Sequence, residues 1–586
     1  MHSNKRLTDE RHRAIVEAKT IKEGDISMGI DPFKLRGTTF REGDEKVNLK
    51  ELVPPLPKDP TPKNFKVLLV YPNHMMVNLL PTNIGILTTC LRQNGFEVGL
   101  FDTTYYRTAE RAPDEIRVEN LQIRKFSLED FGITFKPNHY LDDFEQKVLD
   151  FKPDLIGYSV VEDTWPQAVL MMERVKHFRI ATIVGGVFPT LAPDYVANDP
   201  NVDMLCVGEG ERALIDLCYK MWRKENYSNV SNLWVRRNGS WIKNLIGSPV
   251  ALDDVPFSDW TLFEKERFYR PMQGKIFRMV PVETDRGCPY TCRFCEAPSI
   301  VGLYRDNTGL HYFRRKSWEL VKEELESYIE KYQAEYIYFN AETFLAMSDH
   351  DFDHFIEIYS KIKLPFWMQT RIETLSEYRI QKLEEVNCNR ISIGLEHGNA
   401  EFRKKVVGKG FSNQAIIDVF KILDKYSIPV TINNMLGFPG ETRELIFDTI
   451  ELNRELGTDS INAFYFMPYR GTAMRAECEE KGYITEESQT KGLMSGPIMT
   501  MPQLPNDELL GLVRTFSLYV KFPIEEWPEI RIAEKFDDKG NAKFAEMSKR
   551  YYERFFDHDF KRTKKACFTT SIYRTARKET EDIAPA

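Results

Sequence analysis

The sequence predicts an α/β chain in three successive parts: a doubly wound parallel sheet, a six-unit strand–helix repeat, and a mostly helical C-terminal region. Between Phe65 and Gly208 short apolar runs alternate with helical patterns, and between Met279 and Phe466 the alternation recurs six times. A third observation marks the start of the second series. Cys288, Cys292 and Cys295 follow its first strand.

Composition sets the outer bounds. At 586 residues the chain is too long for one ordinary domain, and three or so are expected. Hydrophobic content of 42% and charged content of 29% are those of a soluble globular protein. A net charge of −8 counts against a general nucleic-acid binder. No apolar run reaches the length of a membrane span. The stretch Met1 to Asp25 is charged throughout and lacks a signal-peptide core, so a reducing cytoplasm is expected.

Residues 1–63 form a charged extension ending in the proline-rich linker Val53 to Pro62, expected to be extended. Residues 64–220 hold the first sheet. Its strands are Phe65–Tyr71, Phe96–Asp102, Asp154–Ser159, Ala181–Gly186 and Met204–Gly208, with helices expected at Asn83–Asn94 (stopped by Gly95), Leu141–Phe151, Trp165–His177 and from Glu211. The stretch from 103 to about 140 shows no pattern. Residues 221–278 read as a connector whose Leu233–Ile242 forms a hairpin around an Asn-Gly turn. Residues 279–475 carry the repeat: strands Met279–Thr284, Glu335–Asn340, Phe366–Arg371, Arg390–Glu396, Pro429–Leu436 and Ser460–Phe466. Its first helix has the stripe Trp318, Val321, Leu325, Tyr328, Tyr332, with Ser317 as N-cap. Residues 476–586 are expected to be helical.

The cysteines are spaced C-x3-C-x2-C. Thiolates are soft ligands, and three on one loop can hold three irons of a cubane cluster, leaving the fourth iron open. A disulfide set fails because three is odd and such close neighbours pair only with strain. A structural zinc would need a fourth ligand, and only His311 follows within thirty residues.

With Phe294 before the third cysteine, the motif resembles that of radical S-adenosylmethionine enzymes, C-x3-C-x-aromatic-C. The resemblance implies a 4Fe-4S cluster on Cys288, Cys292 and Cys295, with Phe294 near the adenine. It also implies that the open iron chelates S-adenosylmethionine, whose cleavage releases a 5′-deoxyadenosyl radical. The glycine-rich strand ends upstream, from Phe65 to Leu217, resemble the Rossmann-like cobalamin-binding domain of the cobalamin-dependent class. That likeness implies that Ser159, Val160, Gly185, Gly186, Gly208, Glu209, Gly210 and Glu211 line the corrin and its nucleotide tail. The D-x-H-x-x-G histidine motif is absent: His74 follows the first strand, but position 72 is Pro and 77 is Val. Either His74 binds cobalt or its lower face has no histidine.

Six strand–helix units suit the family's partial (β/α)6 barrel, so cofactor residues are expected at the strands' C-terminal ends. Glu342 is placed to receive the methionyl amino group, although the family's Gly-Gly-Glu form is not kept. Gln369 and Arg371 end the third strand, where Arg371 offers a planar fork to a carboxylate. Glu396 is suited to the ribose hydroxyls. Gly437 opens a turn, Gly437-Phe438-Pro439-Gly440-Glu441-Thr442, like the family's turn near adenine. Pro468-Tyr469-Arg470-Gly471-Thr472 resembles its proline-x-x-glycine-threonine element, with Arg470 atypical. The methionines 494, 499 and 501 are expected in core packing, the basic residues 561–578 in a solvated tail, and Cys90, Cys206, Cys218, Cys388, Cys478 and Cys567 as ordinary thiols.

The expected function is methyl transfer from methylcobalamin to an unactivated carbon, started by the 5′-deoxyadenosyl radical. Two alternatives stand beside it: non-methylating chemistry with the same cofactors (oxidative cyclisation, ring contraction or hydroxylation), and a cobalamin-binding sensor or carrier with a structural cluster. The expected partners are a small-molecule or peptide substrate and an external one-electron reductant of flavodoxin or ferredoxin type.

Overall fold

In the computed structural model, which describes residues 53–458 and 460–556, the two series form two separate seven-stranded sheets. The readings made on residues 1–52 and on the basic tail with Cys567 lie outside the described residues.

The first sheet contains β1 (Lys66–Tyr71), β2 (Glu97–Asp102), β3 (Leu155–Ser159), β4 (Ala181–Gly185), β5 (Met204–Cys206), β6 (Leu233–Arg237) and β7 (Ser240–Lys243). The order is β2-β1-β3-β4-β5-β6-β7, with β1 to β5 parallel. A parallel strand is covered on both faces, so it reads as an unbroken apolar run. Alternation then divides the run. Val67 and Leu69 pack with Ile84 and Leu91 of α1 (Thr82–Arg92) and Leu217 of α4 (Glu211–Trp222). Leu68 and Val70 pack with Phe144 of α2 (Tyr140–Phe151) and Met171 of α3 (Trp165–Val175). β5 stops short of Gly208, whose φ of 95° turns the chain away. The expected hairpin forms, with Asn238 and Gly239 at φ 49° and 78°, and it extends the edge of this first sheet.

The second sheet contains β8 (Tyr269–Met272), β9 (Lys275–Glu283), β12 (Tyr336–Asn340), β13 (Phe366–Thr370), β14 (Cys388–Glu396), β15 (Val430–Leu436) and β16 (Ser460–Tyr465). The short ribbon of β10 (Asp285–Arg286) and β11 (Arg314–Arg315) stands apart from it. The order β16-β15-β14-β13-β12-β9-β8 leaves β16 at one edge and the antiparallel β8 at the other, an open half-barrel. Ile337, Phe339, Phe366, Met368, Ile391, Ile393 and Ile432 face the outer helices. Alternation therefore turns Tyr338, Trp367, Gln369, Ser392, Asn433 and Asn462 into the lumen. Of the outer helices, α5 (Ala297–Thr308) follows the cysteines and α6 (Trp318–Tyr332) buries its whole predicted stripe. Ser317 sits at the N-cap of α6, but its side chain makes no capping bond. Its amide instead donates to Asp253 at 2.7 Å.

The unpatterned insertion closes the half-barrel's open side. Arg117 donates to Asn462 at 3.1 Å and Gln122 to the Ala463 carbonyl at 2.9 Å, both on edge strand β16. On the opposite lip Phe131 of the insertion packs on Tyr269 of β8, ring centres 5.3 Å apart. Its side chains serve a second domain, and this explains why the insertion has no periodicity of its own. After the barrel come α7 (Ala473–Glu480), α8 (Asn506–Lys521), α9 (Trp527–Ala533) and α10 (Asp538–Tyr551). Met494, Met499 and Met501 are buried among them, in the packing role expected.

Candidate active site between the facing sheet ends

Strand β9 delivers the cysteine loop to the mouth of the barrel. Arg286, two residues before Cys288, is the centre of a buried charge network. Its guanidinium donates to Glu283 at 2.9 Å and 3.1 Å, to Glu209 at 2.9 Å and to Glu211 at 2.8 Å. Glu209 also takes Arg314 and the Val250 amide, the latter at 2.8 Å. Burial disfavours the Glu209 charge, yet Arg314 and Arg286 hold its carboxyl below the usual range. Glu209 and Glu211 belong to the end of the first sheet, so this network fixes the cysteine loop against the glycine-rich loops. The other end of the loop is fixed too: the Arg293 amide bonds the Val407 carbonyl at 3.1 Å and its guanidinium pairs with Glu477 at 2.7 Å.

All three thiols are free, with Cys288 and Cys295 half-buried and Cys292 buried. Burial pushes the Cys288 thiol up to about 11, and burial with the Glu296 charge raises Cys295 further. Among the described residues no three ligand-type side chains converge as they would on a single metal ion. A cubane sets a different requirement, one thiolate for each of three separate irons, and the cluster's charge is what deprotonates a coordinating thiol. Three unpaired soft donors on one anchored loop fit that group.

Around this loop the second sheet sets its charged ends. Glu342 lies just past β12, open at the cleft and accepting the Gly287 amide at 3.2 Å. The surrounding protein, then the neighbouring Asp285 carboxyl, pushes its pKa up to about 8. It has no cation partner among the described residues, so an arriving ammonium would be favoured there. Arg371 is spent differently from the expected carboxylate fork. It stacks 4.0 Å over Tyr290, donates to Glu373 at 2.6 Å, and reaches the Cys292 sulfur at 2.9 Å. Gln369 donates to Tyr338 at 2.7 Å. Glu396 interrupts the β14–β15 register with φ of 65°, a strained value for a non-glycine, and pairs with Lys409 at 2.9 Å. Phe294 packs edge-on to Phe438 at 6.3 Å. Gly437 has φ of 89°, and any Cβ there would stand 2.6 Å from Leu509 of α8. The turn it opens is pinned from beneath by Glu441, which accepts the amides of Gly437 and Phe438. His397, fully buried, lies 3.0 Å from the other oxygen of Glu441.

The first sheet contributes small loop residues. Ser159 accepts from Asn83 at 2.7 Å and is half-buried, as are Gly185, Gly186, Gly208 and Gly210. Gly186 has φ of 108°, and a Cβ there would meet the Val160 carbonyl oxygen at 2.5 Å. Gly208 sits where a Cβ would touch the Tyr304 hydroxyl at 2.7 Å, so α5 packs directly on this loop. A Cβ added at Gly185 or Gly210 would meet nothing closer than ordinary van der Waals contact. These open edges fit a broad, flat cofactor. Val160 is itself buried, and the carboxylates of Glu209 and Glu211 are committed to arginines. His74 stands at the end of β1 with Nε2 on Asp163 at 2.8 Å.

Sequence reasoning missed Arg286, Arg314, Tyr304, Tyr290, Lys409, and the Glu162–Arg470 pair. Arg470, atypical for its element, donates its amide to buried Glu162 at 2.8 Å and its guanidinium to the same carboxylate. Arg286 lay beside the cysteine motif. Tyr290 lay inside that motif and Arg470 stood out as atypical in its element, while Arg314, Tyr304, Lys409 and Glu162 carry no local signal.

Comparison with known proteins agrees with this geometry. Residues 282–452 match the model of the radical SAM superfamily and residues 78–217 that of the B12 binding domain. The chain is a cobalamin-dependent radical S-adenosylmethionine enzyme. Its cofactors are cobalamin, S-adenosylmethionine and a 4Fe-4S cluster. It is 23% identical to an uncharacterized methyltransferase of Pyrococcus horikoshii, over 68% of this chain and 84% of the relative. It is 22% identical to cytidylyl-2-hydroxyethylphosphonate methyltransferase of Streptomyces wedmorensis, over 84% and 95%. It is 23% identical to anaerobic magnesium-protoporphyrin IX monomethyl ester cyclase of Rubrivivax gelatinosus, over 65% and 68%. Its fold is similar to that of the radical S-adenosylmethionine methyltransferase TsrM of Kitasatospora setae, with TM-score 0.57, 14% identity, and 83% and 99% of the two chains covered. Among the described residues no helix is long and apolar enough to cross a membrane.

Proposed function

We propose that this enzyme methylates its substrate at an unactivated carbon. The observation that carries the reading is the Arg286 network, which fastens the cysteine loop to the loops at the end of the first sheet. A radical source and a methyl donor on either side of one cleft suit a substrate held between them. When bound, the cluster and S-adenosylmethionine supply the radical and methylcobalamin the methyl group. Cys288, Cys292 and Cys295 would hold the cluster, with the Arg371 guanidinium beside Cys292. Glu342 would receive the methionyl ammonium, Glu396 with Lys409 the ribose edge, and Gly437 and Phe294 the adenine. Ser159, Gly185, Gly186, Gly208 and Gly210 would border the corrin, with Val160, Glu209 and Glu211 shaping that border from behind. His74, held by Asp163, has only Nδ1 left to offer a metal. The insertion along β16 and α8 against the Gly437 turn would flank the cleft.

The cyclase relative supports a second reading, the same cofactors without methyl transfer. Products separate the two. Methylation predicts S-adenosylhomocysteine and 5′-deoxyadenosine in similar amounts, with labelled methyl in the product; 5′-deoxyadenosine alone sinks it. Cys292→Ala is expected to lose both the cluster's absorbance and S-adenosylmethionine cleavage, and retained cleavage refutes the ligand assignment.

A further inference from the structure

We infer that the lumen of the half-barrel binds an acidic group of the substrate, a carboxylate, phosphonate or phosphate, on the guanidinium of Arg270. The inference rests on the reading above that substrate is held in the cleft at the mouth of this barrel, from which part of it would reach into the lumen.

Arg270 lies on β8, opposite Phe277 of β9. It shares its strand face with Met272, which packs with Met279, Tyr336 and Tyr338 on the inner wall. Its guanidinium stands 5.2 Å from the centre of the Trp367 ring. That ring stacks on Tyr338 at 4.3 Å with 22° between the planes.

The neighbouring arginines are both committed. Arg267 meets Asp102 at 2.8 Å and the carbonyls of Val77 and Leu79. Arg117 meets Asp114 at 2.8 Å and Asn462 at 3.1 Å. Among the described residues Arg270 has no ion pair and no hydrogen bond. Asp114, the carboxylate that reaches it through the field, already faces Arg117, and burial presses against its charge.

The polar groups of the wall are likewise satisfied by one another. Trp367 donates to Ser392 at 2.7 Å, Gln369 to Tyr338 at 2.7 Å, and Asn462 to Asn433 at 2.8 Å. Arg270, Trp367, Gln369 and Asn433 are all half-buried, so each keeps part of its surface open. An arginine on an open surface would need no explanation. One half-buried on β8 against Trp367 has lost part of its water without gaining an anion among the described residues. A carboxylate or phosphoryl group restores that loss through two parallel hydrogen bonds.

The test is thermal unfolding of the holoprotein at low, matched ionic strength with inorganic phosphate, methylphosphonate, acetate or chloride. At least one of the first three is expected to raise the midpoint above chloride. Arg270→Gln is expected to lose that rise and Arg270→Lys to keep part of it. If Arg270→Gln does not fold, Arg270→Met, which keeps the stem on Trp367, takes its place. Phosphorus-31 line broadening of methylphosphonate, present for the parent and lost in the variant, checks the site directly. Preference for phosphate and methylphosphonate over acetate, or the reverse, supports the subsite and names the acid. No rise in the parent, or an equal rise in Arg270→Gln, overturns it. Parent protein that cleaves S-adenosylmethionine but shows no anion response overturns this subsite alone. An anion response without cleavage overturns the proposed function alone.

Discussion

At the scale of single residues, the mouth of the barrel is governed by carboxyl groups that lack enough cations. Asp285 is buried, with Arg315 3.6 Å away, and burial pushes its pKa up to about 7 from 3.8. Between those values the folded protein holds a proton that the unfolded chain has released, so stability falls as pH rises from about 4 to about 7. Asp285→Asn removes that dependence. Relative to the parent, the variant is expected to gain about 2–3 kcal/mol between pH 5 and pH 8. Urea unfolding at the two pH values measures it, and parallel slopes for both proteins refute it. The three cysteines and Glu342 could be picked out from residue type and strand-end position. The state of Arg371 could not, because Tyr290 and Cys292 reach it only through the fold.

At the scale of elements, alternation and apolar runs placed the strands well. Each of the six expected barrel strands forms, within a few residues of its expected bounds. Boundaries moved where a glycine or a neighbour intervened, as at Gly208 and at Ser317, whose cap bond gives way to Asp253. The loops between strands depend on close backbone crossings. Gly186 is one such crossing in the first sheet, where an added Cβ would meet both the carbonyl oxygen and the amide nitrogen of Val160, at 2.5 and 2.9 Å. With φ of 108° it resists any side chain. Gly186→Ala is expected to cost about 1–3 kcal/mol from backbone conformation alone, before the clash is relieved. A lowered unfolding midpoint, together with weaker cobalamin binding by absorbance titration, is the expected result. An unchanged midpoint counts against a structural role for the crossing.

At the scale of the whole molecule, two buried ionic junctions join the sheets. One is Arg286 and Arg314 with Glu209 and Glu211; the other is Arg470 with Glu162. Their positions on opposite sides of the cleft fix its width. Breaking a buried pair from one side leaves Glu162 with only Arg475 at 4.0 Å, so Arg470→Met is expected to cost about 3 kcal/mol, the low end for a buried pair. Burial already raises the Glu162 carboxyl, and the loss of Arg470 drives it toward the neutral form. Limited proteolysis should then cut sooner within 480–500, the segment that donates Gln489 to the Glu162 carbonyl at 2.6 Å. Cutting at the parent rate would show that the second junction is dispensable.

Local pattern by itself determined the two strand series, the six-unit repeat, the cysteine loop and, through them, the class of chemistry, because each depends on residues close in sequence. Tertiary structure alone decided which charged residues remain free. Glu209 looks like a ligand residue in the chain but is neutralised by Arg286, 77 positions away, and Arg371, paired with Glu373, is turned onto Cys292, 79 positions away. Arg270 looks ordinary yet is left without an anion among the described residues. Charge compensation acts through space, and only the fold sets those distances.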